Sequence, residues 1–417
     1  MTVFYSGGSL RLYHADVIAG LRQLEAGSVQ ACVTSPPYLS QRVDGYGVAA
    51  TTWEPVDFDP MPGLGRPLHI PTWTGVLGEE DDAYAFTAHL VAVFREVRRV
   101  LKDNGLVWLV LGDGYVREGG SGPPGPKATA HHQRNPGSRM KRVPPGLKPK
   151  DALLIPHRVA LALQADGWYV RADVCWSKPN GLPGPWDDRP LRTHESVFLL
   201  AKAGRYAYYA EAVREPAVGR HQRRLSPRRR GEQFSALPPQ TYSTATTRET
   251  PGPDSADGKR SLRSVWSIGT VGYRGRQGKH VATFPSKLAR LCVLSSTRPG
   301  DVVLDPFNGA GTTGLVCLSE GREYVGVELS RESCAESVDR WARSFPLFVP
   351  LLRKIPGGGV KPMIRLVLWL WILMCGAGVF ADDVPVVGDV GLAAAATLMA
   401  VCLWQVVIVP LARRLRR

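Results

Sequence analysis

The chain has 417 residues, of which 21% are charged and 44% hydrophobic, a balance that suits a globular protein with enough apolar mass for a large core. Net charge is +15; residues 346–417 carry eight Lys/Arg and three Asp/Glu, so the remainder keeps 44 basic against 34 acidic residues, or +10. A basic body points to a polyanionic partner, nucleic acid first. The seven cysteines (Cys32, Cys175, Cys292, Cys317, Cys334, Cys375 and Cys402) show no CxxC spacing. They are expected to be buried thiols in a reducing, cytoplasmic setting, with neither a disulfide framework nor a metal site. No signal peptide is read before the first strand.

In chain order, Leu10–His14 reads as a short strand, 17–24 as an amphipathic stretch, and Val29–Thr34 as a second strand ending in Ser35-Pro36-Pro37-Tyr38. Residues 40–80, rich in Gly, Pro and Trp, read as a long loop. Residues 83–101 have helical spacing, with Phe86, Leu90, Val93, Phe94, Val97 and Leu101 on one face, and Asn104-Gly105 is expected to stop that helix. The apolar run 105–112 reads as a strand buried on both faces. Residues 117–150, basic and rich in Gly and Pro, read as a loop that clamps a nucleic-acid backbone. A helix at 155–165 and strands at Tyr169–Ser177 and 196–201 follow. Residues 203–262 change composition and carry the basic clusters Arg223-Arg224 and Arg228-Arg229-Arg230. The helix Ser286–Ser296 then leads to a strand at Val302–Asp305, a glycine-rich turn, another helix and a strand at 323–327. Seven strands separated by helices mean an α/β fold with a mostly parallel sheet.

The strongest local signal is Asp305-Pro306-Phe307-Asn308-Gly309-Ala310-Gly311-Thr312-Thr313-Gly314, which follows a strand and opens a helix. Glycines there let a ligand approach the backbone at the carboxyl edge of the sheet. An acid at the strand end suits a cationic amino group. Glu328, ending the next strand, sits where an acid holds ribose hydroxyls. The pattern is not GxGxxG and lacks a P-loop lysine, which disfavours a dinucleotide or ATP. The second signal is Thr34-Ser35-Pro36-Pro37-Tyr38, where a side-chain oxygen, backbone carbonyls and an aromatic ring in one rigid turn suit a planar amine.

Together these motifs resemble the amino-methyltransferase family of DNA methyltransferases carried by bacteria and phages. Ser35-Pro36-Pro37-Tyr38 is similar to the family's catalytic motif and 305–314 to its cofactor loop; catalytic motif first and cofactor loop last is the permuted order of the β group. Asp16 falls where the family contacts the cofactor's adenine end, and Phe284-Pro285, in the segment 280–285, where it covers the methionine end. Leu111-Gly112-Asp113-Gly114-Tyr115, Trp176-Ser177-Lys178-Pro179-Asn180, Thr193-His194-Glu195 and Val265-Trp266 fit further motifs. The stretch 51–72 is longer than the family's usual loop.

The resemblance implies a seven-stranded, Rossmann-like S-adenosylmethionine-dependent methyltransferase fold, circularly permuted. Residues 1–202 form the catalytic half, 203–262 an inserted target-recognition region and 263–345 the cofactor half. It implies duplex DNA as partner and S-adenosylmethionine as cofactor, held by Asp16, Phe284, Pro285, Asp305, Pro306, Phe307, Gly309, Gly311, Thr312, Thr313 and Glu328. Ser35 and the Pro36 carbonyl accept the target amine's hydrogens, Pro37 rigidifies the turn and Tyr38 stacks on the flipped base. Serine rather than aspartate at position 35 favours cytosine N4 over adenine N6. Arg223, Arg224 and Arg228 to Arg230 contact DNA phosphates or guanine edges. The alternative of another class is a membrane-tethered nucleic-acid binder with an inactive transferase fold.

Beyond a linker at 346–362, residues 366–381 and 391–412 lack charge, with Asp382, Asp383 and Asp389 between them and Arg413 to Arg417 region basic after them. This reads as a hydrophobic helical hairpin spanning a membrane, joined to a complete methyltransferase.

Overall fold

A computed structural model describes residues 2–39, 48–116, 146–181, 188–216, 259–270 and 283–345. Its central sheet has strands β1 (Thr2–Gly7), β2 (Leu10–His14), β3 (Val29–Thr34), β4 (Leu101–Leu111), β5 (Tyr169–Ser177), β6 (His194–Ala201), β7 (Val265–Ser267), β8 (Val302–Asp305) and β9 (Glu323–Glu328). The helices are α1 (Val17–Leu21), α2 (Ala83–Val100), α3 (Ile155–Ala165), α4 (Ser286–Ser296), α5 (Thr312–Ser319) and α6 (Arg331–Ser344).

The sheet order is β1-β2-β9-β8-β3-β4-β6-β5-β7. The seven strands read from sequence all lie within it. Nine strands rather than seven is a correction: β1 joins as an antiparallel edge to β2, and β7 as a three-residue parallel edge to β5. Both edges are largely exposed, with one buried residue each, and β7 is only three residues long, so sequence pattern does not mark them. The pairs β2/β9, β9/β8, β8/β3 and β3/β4 are parallel, while β4/β6 and β6/β5 are antiparallel.

Helices cover both faces, which is why β4 is apolar without interruption from Leu106. Val107, Leu109 and Leu111 pack with α1, α2 and α3, including Leu21, Phe86, Phe94 and Leu163. Leu106, Trp108 and Val110 point the other way, into the layer of α4, α5 and α6 with Leu288, Val316 and Trp341. The expected end of α2 at Asn104-Gly105 is also corrected. The helix stops at Val100, and Leu101 already pairs with Val29. Residues 102–105 bulge before Ala31 pairs with Leu106, and the Gln30 amide donates to Asn104 Oδ1 at 3.3 Å across the bulge. The stretch 40–80, expected as loop, contains two small antiparallel ladders, Thr51–Trp53 with Trp73–Gly75 and Val56–Phe58 with Leu68–Ile70.

The residues 217–258, 117–145 and 346–417 lie outside the described residues, and with them the recognition arginines, most of the basic loop, the linker and the hydrophobic hairpin. Among the described residues, no helix is long and apolar enough to cross a membrane and no cluster of side chains suits a metal ion.

Candidate active site

The two motifs meet at the carboxyl ends of β3 and β8, which are hydrogen-bonded neighbours in the sheet. The Ser35–Tyr38 turn leaves β3 with Pro36 buried and Ser35, Pro37 and Tyr38 half-buried. Ser35 Oγ donates to the Tyr38 hydroxyl at 3.2 Å, and that hydroxyl donates to Glu195 Oε2 at 3.0 Å. Glu195 Oε1 accepts from Lys178 Nζ, and the ammonium lies 4.4 Å from the centre of the Trp176 ring. Glu195 enters through β6 and Lys178 leaves β5 in the adjoining register, so sheet pairing alone brings them together. The Tyr38 ring lies on Gly112, where a Cβ would come within 2.5 Å of it; only glycine fits. Burial, with the Glu195 charge second, pushes the Tyr38 phenol well above its ordinary value, so it stays a proton donor at neutral pH.

Asp305 ends β8 and is 1% exposed. Thr34 Oγ1 donates to its Oδ1 at 2.7 Å, the Phe307 amide to Oδ1 at 3.1 Å and Thr313 Oγ1 to its Oδ2 at 2.9 Å. One buried side chain therefore ties the end of β3 to the glycine loop. Burial pushes its pKa up to about 6 despite those hydrogen bonds, with the Glu328 charge a smaller contributor. The next turn is strapped from α6. Asn308 donates to Ser337 Oγ at 2.8 Å, Trp341 Nε1 donates to the Gly311 carbonyl at 2.8 Å, and Arg340 donates to the Ala310 carbonyl at 3.1 Å and to Thr312 Oγ1 at 2.8 Å. Gly311 caps α5 at φ 70°, and a Cβ there would sit 2.8 Å from Trp341 Nε1. Glu328 takes the Gly309 amide at 2.7 Å on Oε2 and the Ser330 amide at 2.8 Å on Oε1.

The profile of the DNA methylase family, of the N6/N4 amino-methyltransferase type, matches residues 29–339. The chain belongs to this family. The type II methyltransferases M.XycI of Xanthomonas campestris pv. cyanopsidis and M.Cfr9I of Citrobacter freundii are each 38% identical to it over 332 residues, 79% of this chain and 86% of theirs. M.SmaI of Serratia marcescens is 36% identical over 338 residues, 80% of this chain and 91% of its own. Among solved structures, the PvuII cytosine-N4-specific DNA methyltransferase aligns at 17% identity and a TM-score of 0.49, over 89% of this chain and 95% of its own.

The methylase takes its methyl group from S-adenosylmethionine, and its loop fits that cofactor. The Gly309 side is open, since a Cβ there would meet only the Phe307 carbonyl at 3.8 Å. Phe284, Pro285 and Arg340 line a cavity of about 340 Å³ next to the loop. Asp16 caps α1, accepting from the Ile18 and Ala19 amides at 3.0 and 3.3 Å on the same oxygen. Pro306 is buried, and Phe307 packs against the α1–α3 core.

Three parts of the methylase site are joined only by the fold. The members of the Tyr38–Glu195–Lys178 chain lie in motifs visible in the sequence, but they meet only because β5 and β6 pair in register. The α6 straps come from an ordinary amphipathic helix. The third is a buttress under the catalytic turn: His89, buried in α2, sits 4.7 Å from the Trp53 ring centre and 5.1 Å from that of Trp73. Its Nδ1 donates to Glu80 Oε1 at 2.8 Å, and Glu80 Oε2 accepts the Gly78 amide at 2.7 Å. Gly78, at φ 95°, packs against the Tyr38 carbonyl. Only Trp richness in 40–80 hinted at it.

Proposed function

We propose that this methylase transfers methyl from S-adenosylmethionine to the N4 amine of cytosine at specific sites in duplex DNA. The observation that carries the reading is the Ser35 hydroxyl, which stands at the carboxyl end of β3 with its proton committed to Tyr38. Its lone pairs are then directed to an incoming amine. An exocyclic amine is a poor nucleophile because its lone pair is delocalised into the ring. Acceptance of its hydrogens by Ser35 Oγ and the Pro36 carbonyl localises that pair, and the rigid turn holds it in line. Bound S-adenosylmethionine supplies the electrophilic sulfonium methyl. The target base leaves the stack and lies against Tyr38. Serine at position 35 favours cytosine over adenine. The placement of late strands β8 and β9 between early β2 and β3 supports the permuted reading. Within the family's recognition region, Arg223, Arg224 and Arg228 to Arg230 hold the DNA.

The test is incubation of the full chain with labelled S-adenosylmethionine and unmethylated bacterial DNA, followed by nucleoside mass spectrometry. N4-methylcytosine is the expected product. N6-methyladenine overturns the base assignment, and bound cofactor with no methylated nucleoside overturns catalysis in favour of an inactive DNA-binding protein.

A further inference from the structure

The proposed chemistry requires Ser35 to accept, and a hydroxyl accepts or donates according to what its neighbours do. Alone, Ser35 and Tyr38 have no preferred direction: either hydroxyl can give its proton to the other. Two further residues remove that freedom. Lys178 Nζ can only donate, and it occupies Glu195 Oε1. The Glu195 carboxylate can only accept, so its Oε2 takes the Tyr38 proton at 3.0 Å, and the Tyr38 oxygen is left to take the Ser35 proton at 3.2 Å. We propose that the Lys178–Glu195 pair sets the direction of this hydrogen-bond chain and so makes Ser35 an acceptor for the target amine, with Glu195 a positioning residue that acts through Tyr38.

The environment suits the task. The Lys178 and Glu195 side chains are 20% and 16% exposed, so water competes weakly for either. The Tyr38 ring is held on Gly112, which fixes where its hydroxyl points. Lys178 is anchored over Trp176 on the same strand end, so the ammonium has little freedom to leave Glu195. The inference rests on the reading of Ser35 as the amine's acceptor.

A carboxamide at position 195 separates direction from size and packing. In Glu195→Gln, Lys178 demands the amide oxygen, which turns the amide NH₂ towards Tyr38. Tyr38 must then accept from the amide and donate to Ser35, and the Ser35 proton points at the substrate. The expected result is a fall in the single-turnover methylation rate of roughly ten- to a hundredfold, the range for reversing one charge-assisted hydrogen bond, with S-adenosylmethionine affinity unchanged. Adding Lys178→Met frees the amide to rotate and present its oxygen to Tyr38, so the Glu195→Gln/Lys178→Met double variant recovers most of the rate. A merely structural role for the pair predicts the opposite, because the second substitution removes a further contact.

The rates are measured on the full chain with tritiated S-adenosylmethionine and unmethylated bacterial chromosomal DNA. An undiminished rate in Glu195→Gln, or a double variant as slow as the single, overturns the proposal. If Glu195→Gln does not fold, the pair is removed together as Glu195→Leu/Lys178→Met, once with Tyr38 present and once in Tyr38→Phe. Removal is expected to slow methylation when Tyr38 is present and to change the rate no further in Tyr38→Phe, where the chain is already cut; equal effects in the two backgrounds overturn the idea. Ser35→Ala separates the two layers. If it leaves the rate intact, the reading of Ser35 itself fails; if it slows methylation while Glu195→Gln does not, only the directional chain fails.

Discussion

Asp305→Asn tests whether the link between the two motifs carries a buried charge. The side chain is 1% exposed and its pKa is pushed up to about 6, chiefly by burial. A raised folded-state pKa favours the neutral acid. Its contribution to stability is full below the ordinary value of 3.8 and is lost as pH rises through about 6. The total is about 3 kcal/mol, of which about 2 kcal/mol falls between pH 4.5 and 7.5. Asparagine removes the charge and can keep the geometry. Its oxygen accepts from Thr34 and the Phe307 amide. Its NH₂ faces Thr313, whose hydroxyl can turn to the Val33 carbonyl at 3.3 Å and accept. Urea denaturation of both proteins across this pH range is therefore expected to show the variant gaining on the wild type by about 2 kcal/mol as pH rises. A difference that stays flat, or runs the other way, refutes the account of Asp305 as a carboxylate that burial holds near neutrality.

Gly311→Ala places a Cβ 2.8 Å from Trp341 Nε1 at a backbone φ of 70°, so a loss of about 1–3 kcal/mol and weaker cofactor binding are expected by thermal melting with and without S-adenosylmethionine. His89→Leu removes the imidazole between Trp53 and Trp73 and strands the buried Glu80 side chain; it is expected to cost about 3–5 kcal/mol, whereas Glu80→Leu/His89→Leu recovers much of that loss in the same denaturation assay. Replacing Arg223, Arg224, Arg228, Arg229 and Arg230 by Gln is expected to flatten the dependence of DNA affinity on salt, read as the slope of log K against log salt; an unchanged slope removes them from the interface.

Most of the architecture was legible in one dimension because its signals are local. The continuous apolar run 105–112 announces a strand covered on both faces, and the seven strands with strong patterns were all located. A strand ending in Asp305 before Gly309 and Gly311 announces a ligand-binding turn, since backbone that must approach a ligand and reverse sharply leaves few residue choices. The strands β1 and β7 carry no such signal because each is an exposed edge that buries a single residue, and the bulge at 102–105 carries none because Asn-Gly breaks a helix and a ladder alike. Sequence thus determined the class of fold, the two motifs and their family. Tertiary structure alone decided what the motifs do to one another. It turned Asp305 from an isolated acid into a buried clasp between Thr34 and Thr313. It also gave Ser35 a directed hydrogen bond through Tyr38, Glu195 and Lys178. Those partners lie up to 271 residues apart in the chain, and a hydrogen bond depends on distance in space, which sheet order and register set and no local pattern records.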